Sequence, residues 1–173
     1  RNSGPPDRVN SIVFLSDGFL AQSNQTFFDR VTTILGLIDE SDPSNADPAL
    51  LSQKNTVPLD RYIAFWNVYA VFQPSSEEGC SRPLYGITVN DNLKCYHTPQ
   101  LERAIQCDRS LALSLAKVSP APLAKSPDNV LIIVVVNTAI YGGTGLYYKG
   151  VIHIGHFFNG SDMLTVGTAD NSY

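Results

Sequence analysis

What this sequence lacks narrows its reading first. No apolar run reaches the roughly 20 residues that a membrane-spanning helix needs. Lys and Arg number 12 against 16 Asp and Glu, for a net charge of −4, and the basic residues form no cluster. That excludes a nucleic-acid surface, because phosphate binding needs grouped positive charge. No Gly-x-Gly-x-x-Gly follows the first apolar run and no phosphate-loop pattern occurs, so neither nucleotide fingerprint is present. Gly-x-Ser-x-Gly is missing, which weakens an α/β-hydrolase reading. Cys-x-x-Cys is missing too, which argues against a zinc finger. There is no internal repeat.

What is present fits a globular domain. The 173 residues are 43% hydrophobic and only 16% charged, and a chain of this length buries roughly 70% of its unfolded surface. Residues 1–173 are therefore read as a single domain. The chain starts at Arg1 without Met or a signal peptide, which is read as a mature form or an excised piece. Three cysteines, Cys80, Cys95 and Cys107, share one segment. Two glycosylation sequons begin at Asn24 and Asn159. Together these point to a secreted protein with one disulfide, Cys95–Cys107 being the candidate pair. The alternative is three reduced thiols in a cytosolic protein.

The densest apolar run, Val130 to Val136, is mostly β-branched. Such a run fits a strand covered on both faces. Asn137 ends it, and Tyr141-Gly142-Gly143 then turns the chain at the strand's carboxyl end, where open α/β sheets bind ligands. A second buried strand is expected over Ser11–Leu15, stopping at Ser16-Asp17-Gly18-Phe19. Asp17 is read as a turn former or cap, since Asp-Gly suits a tight turn. Phe27, Phe28, Val31, Ile34, Leu35 and Ile38 recur at helical spacing, with Ser23 or Asn24 as cap. Residues 40–55 read as a surface excursion. A third strand is expected over Asn67–Phe72. Glu77 and Glu78 are read as a solvated loop. Pro99–Val118 carries a helical pattern that Asp108-Arg109-Ser110 interrupts. Gly150–Gly155 reads as a short edge strand, and residues 159–173 as a polar end. Strands separated by helices give an α/β chain with a mostly parallel sheet.

The chemistry-bearing residues are sparse. His153 and His156 are spaced i, i+3, but in a strand they face opposite sides. Zinc takes at least three protein ligands, and His97, Asp162 or Asp170 would have to complete a set that nothing in the spacing fixes. No Ser-His or Cys-His pair sits in a specific motif. Asp17 or the histidines would be the candidates if this were some other α/β enzyme.

Several segments together carry a resemblance. They are Asn2-Ser3-Gly4-Pro5-Pro6, Val13-Phe14-Leu15-Ser16-Asp17-Gly18-Phe19, Phe65-Trp66-Asn67-Val68-Tyr69-Ala70-Val71, Pro74-Ser75-Ser76-Glu77-Glu78-Gly79, and Asn137 with Tyr141-Gly142-Gly143. In this order they resemble the amino-terminal half of the IgA metallopeptidase family, and Cys95 and Cys107 sit near the Cys-containing segment of its eukaryotic members. The resemblance implies a secreted zinc peptidase acting on a peptide or protein substrate. It implies a zincin-like three-layer fold, with a twisted, mostly parallel sheet, an antiparallel edge strand and covering helices. In that family zinc is held by a His-Glu-x-x-His helix whose Glu serves as general base. This sequence contains no His-Glu-x-x-His, so no residue here is assigned as catalytic or as a metal ligand. The domain is expected to be incomplete, with the zinc helix following Tyr173 and no zinc bound by these residues alone. The resemblance makes Tyr141, Gly142, Gly143, Val151 and His153 the rim and edge strand of a substrate cleft. The competing expectation is a secreted binding module that keeps the fold without the metal.

Overall fold

The computed structural model describes residues 1–38, 63–123, 129–140, 143–146 and 163–167. Strands β1 (Ser11–Asp17) and β5 (Val130–Val136) form its centre, and every residue of both is buried. They pair in parallel from Ser11 opposite Val130 to Asp17 opposite Val136. Strand β2 (Asn67–Val71) lies parallel on the far side of β1. On the other flank β7 (Met163–Gly167) runs parallel to β5, and β6 (Gly143–Leu146) closes the sheet antiparallel to β7. The order is β2-β1-β5-β7-β6, a mostly parallel sheet with an antiparallel edge.

Alternation along the central strands makes two cores. Ile12 and Phe14 of β1 join Leu131, Ile133 and Val135 of β5 on one face. There they meet Phe27 and Val31 of helix α1 (Asn24–Ile38), with Phe19 and Trp66. Phe19 meets Phe27 edge to face, 5.7 Å between centroids. Val13, Leu15, Val130, Ile132, Val134 and Val136 point to the opposite face. That face is covered by helix α2 (Arg109–Ala116) through Ala112 and Ala116, and by Leu93, Ile105 and the three cysteines. Each large side chain so buried contributes about 1.5–3 kcal/mol relative to exposure.

The outer edge of β2 is covered by the chain's own first residues. The backbone N–H of Ser3 donates to Asn67 Oδ1 (2.6 Å), and Asn67 Nδ2 donates to the Gly4 carbonyl (3.0 Å). Ser3 Oγ donates to the Trp66 carbonyl at 2.9 Å, and Val68 N–H to the Arg1 carbonyl at 2.9 Å. A covered edge is one on which another strand cannot add.

Two expectations are corrected. The helix expected over Pro99–Val118 is half strand: Tyr96–Thr98 (β3) and Leu101–Gln106 (β4) form an antiparallel pair with an irregular register at His97/Thr98. The Cys95–Cys107 disulfide closes the end of this pair at which Tyr96 lies opposite Gln106. Closing that loop overrides local helical spacing, as tertiary context often does. Only Arg109–Ala116 is helical. Asp108 caps it, accepting from Ser110 N–H at 2.8 Å and Leu111 N–H at 3.1 Å. The polar end read for residues 159–173 holds β7, which pairs with both β5 and β6; a strand of five residues among Gly, Ser, Thr and Asp gives little periodic signal. The edge strand read at Gly150–Gly155 lies outside the described residues, while the antiparallel outer strand observed is Gly143–Leu146.

Candidate functional site

Three of the segments that carry the family resemblance meet at the carboxyl ends of β1 and β5. Beyond Asp17 the chain turns at Gly18, whose φ of 73° is left-handed. A Cβ at Gly18 would collide with the Gly79 backbone, so glycine is required both by conformation and by space. Gly79 N–H donates to the Gly18 carbonyl at 3.0 Å. Ser75 Oγ accepts from Gly18 N–H at 2.9 Å and from Asn92 N–H at 3.3 Å. Asn137, the first residue after β5, donates its backbone N–H to the Asp17 carbonyl (2.9 Å) and its Nδ2 to the Gly18 carbonyl and Glu78 Oε1 (3.1 Å each). Glu77 and Glu78 are exposed as expected, but each has a partner: Glu77 Oε2 accepts from Asn90 N–H at 2.7 Å.

Beneath these turns lie two carboxyl groups. Asp17 is fully buried and Asp91 is 4% exposed. Asp17 Oδ1 accepts from Leu93 N–H at 2.7 Å. Asp17 Oδ2 and both oxygens of Asp91 make no fully formed hydrogen bond among the described residues, although the backbone N–H groups of Lys94 and Cys95 lie near Asp91. The Leu93 N–H bond to Asp17, and the Ser75 hydroxyl shared by Gly18 and Asn92, bring the 90–95 segment and Asp91 with it against the end of β1, where the two carboxyls act on each other. Burial, followed by the Asp91 charge, holds the Asp17 carboxyl well above the ordinary carboxylate range. Burial also raises Asp91, partly offset by Asp17 and by the backbone N–H groups of Lys94 and Cys95. Buried Cys80 sits beside the pair, and burial with both Asp charges pushes its thiol up to about 12.

His97, a possible ligand on sequence grounds, is buried with both ring nitrogens engaged. Nδ1 donates to the Glu102 carbonyl at 2.6 Å, and Nε2 lies 3.1 Å from Thr138 Oγ1. No group of three or more His, Cys, Asp or Glu side chains suited to a metal occurs among the described residues. Gly143, read as cleft rim, starts β6. Tyr141, Gly142, Val151, His153, His156, Asn159, Asp162 and Asp170 lie outside the described residues. Asn24, the sequon residue, is the exposed first residue of α1. Cys95 and Cys107 form the disulfide.

On sequence grounds Asp17 is a turn former, and Asp91 carries no signal of its own. An Asp directly continuing a buried apolar run is a signal for the first. Nothing in Val89-Asn90-Asp91-Asn92 separates the second from a solvated loop.

The IgA peptidase M64 family model matches residues 1–173. The chain belongs to the IgA peptidase M64 family. No curated protein matches it. Membership makes this a metallopeptidase-related domain, with a protein as the substrate class. Among the described residues, no helix is long and apolar enough to cross a membrane. The IgA peptidase motifs Ser16-Asp17-Gly18-Phe19, Ser75–Gly79 and Asn137 are adjacent in space because each sits where a strand or loop ends at the same rim of the sheet.

Proposed function

We propose that this chain is the amino-terminal part of the catalytic domain of a secreted, zinc-dependent endopeptidase with a zincin-like fold. The observation that carries the reading is the family match across residues 1–173. The described residues do not form a set that fits zinc: His97 has both nitrogens engaged, and Asp17 and Asp91 stand as a pair without a third ligand. Zinc in the complete domain would be held by a His-Glu-x-x-His helix and would activate the attacking water. No catalytic step is assigned to the residues here. Their part is to build the sheet and fix the loops at its carboxyl edge.

In this reading Tyr141, Gly142, Gly143, Val151 and His153 line the cleft rim. An extended peptide would bind there by main-chain hydrogen bonds, as in strand addition. The outer position of β6 in the strand order supports that placement. Secretion is supported by the disulfide, and the exposure of Asn24 is compatible with glycosylation there; Asn159 is the second candidate. The test is a peptidase assay on the full-length gene product, with metal analysis. Cleavage abolished by a chelator and restored by zinc is expected. A full-length product that binds no metal and cleaves no peptide would overturn the proposal in favour of a binding module.

A further inference from the structure

Asp17 and Asp91 are two buried carboxyls at one end of the sheet, and three of their four oxygens make no fully formed hydrogen bond among the described residues; the backbone N–H groups of Lys94 and Cys95 lie near Asp91. Two ionised carboxylates so placed repel each other where water cannot screen them, and an uncompensated buried charge is strongly destabilising. A proton held between them removes that repulsion. Among the described residues, few charged or titratable groups lie on the elements around the pair; from helix α2, which packs on β1, the charged residue is Arg109. From the 90–95 segment comes Lys94, with an exposed side chain; from the 75–80 loop come Cys80, whose thiol stays protonated, and exposed Glu77 and Glu78, which add negative charge. From β3, His97 directs its ring to Glu102 and Thr138 instead. From β5, the residues opposite Asp17 are Val136 and then Asn137, neither titratable.

We propose that Asp17 and Asp91 share one proton at neutral pH, and that this proton is a latch holding the 90–95 segment against the carboxyl end of β1. The latch reaches beyond the pair. Leu93 N–H is bonded to Asp17, Asn92 N–H to Ser75 Oγ, and Asp108 N–H to the Leu93 carbonyl at 2.7 Å. Removing the proton sets two carboxylates against each other and drives Asp91 outward. The turns at Gly18, Ser75 and Asn92 loosen with it. The rim is therefore ordered in acidic to neutral solution and released in mildly alkaline solution. This inference does not depend on the peptidase reading, since it concerns the fold's own residues.

The test is thermal unfolding of wild type, Asp91→Asn and Asp17→Asn between pH 5 and pH 9, joined to infrared difference spectroscopy. The wild-type midpoint should fall from pH 5 to about pH 8 and level off beyond it, while either Asn variant, which replaces the proton with an amide donor, should stay flat. At the alkaline end the variants should exceed wild type by about 4 °C or more. The carbonyl stretch of a protonated carboxyl should be present in wild type at neutral pH, vanish on alkalinisation, and be missing from both variants. Because the infrared measurement is made on wild type, it decides even if a variant fails to fold. Absence of that band at neutral pH overturns the proposal. So does a wild-type midpoint that tracks the variants at every pH. An alkaline midpoint restored by millimolar calcium in wild type but not in the variants also overturns it, since a cation would then occupy the proton's place.

Discussion

Asn67 and Asp17 are both polar, both fully buried, and both at the end of a parallel strand. They are handled in opposite ways. Asn67 starts β2, and its side-chain oxygen and nitrogen are each paired, to Ser3 N–H and the Gly4 carbonyl. Asp17 ends β1, and one of its oxygens, together with both of its neighbour Asp91, makes no fully formed hydrogen bond among the described residues. The first arrangement is what buried polar groups ordinarily do. It fastens the edge of the sheet and needs nothing more. The second costs stability, and it lies at the sheet end where α/β folds place their ligand sites. A fold that satisfies one end so completely and leaves the other incomplete separates its scaffold from its rim.

The largest effect should come from the turn that leads out of Asp17. Gly18→Ala puts a side chain at a left-handed φ and into the Gly79 backbone, and should cost about 3–4 kcal/mol, from the strain and overpacking terms combined. Denaturant unfolding measures it, and a loss below about 1 kcal/mol would mean that the two loops are not held together as described. Asn67→Ala should cost about 2–3 kcal/mol, because Ser3 N–H and the Gly4 carbonyl lose their partner. That loss should be independent of pH, which distinguishes the paired end from the unpaired one.

Asp17→Asn should act in the opposite direction, gaining about 1–2 kcal/mol at neutral pH. The sign follows from proton counting. An unfolded Asp releases its proton near pH 3.9, whereas folded Asp17 keeps it up to about 8. Between those values the folded state binds more protons than the unfolded one, so stability falls as pH rises and levels off beyond the folded value. Below about pH 4 both states are protonated and the gain in the variant should disappear. Urea midpoints of wild type and variant at acidic and neutral pH check this, and a variant less stable than wild type at neutral pH would erase the contrast with Asn67. Smallest of all, Glu77→Gln should cost about 0.5 kcal/mol, because the charged hydrogen bond to Asn90 N–H becomes a neutral one on an exposed loop.

The same contrast governs how much the sequence reveals. The scaffold was legible wherever burial writes itself as an apolar run or a helical period. Val130–Val136 reads directly as a strand, Ser11–Leu15 as most of one, and Phe27 and Val31 mark the buried face of α1. Legibility failed where a long-range constraint replaces periodicity. Leu101–Gln106 is a strand because a disulfide and the pairing with β3 hold it there, although its apolar spacing is helical. Met163–Gly167 is a strand because it fits between β5 and β6. The rim shows the same limit: Asp91 meets Asp17 across more than seventy positions of chain, as the Leu93–Asp17 hydrogen bond does at a separation of 76. No local pattern encodes such a meeting. Three of the family-like segments, those holding Asp17, Ser75 and Asn137, meet at that rim.

The position of Cys80 has a consequence for how the chain matures. Three thiols allow three different bridges, and the hydrogen bond from Ser81 N–H to the Cys95 carbonyl (3.3 Å) sets Cys80 close to Cys95 in the fold. Proximity alone would make it a rival partner. Exchange, however, requires a thiolate, and burial with the two neighbouring acids keeps the Cys80 thiol protonated. Once the rim has closed, the third sulfur is chemically silent and the Cys95–Cys107 bridge is safe from its nearest competitor. The two acids that weaken the fold thereby proofread its oxidation.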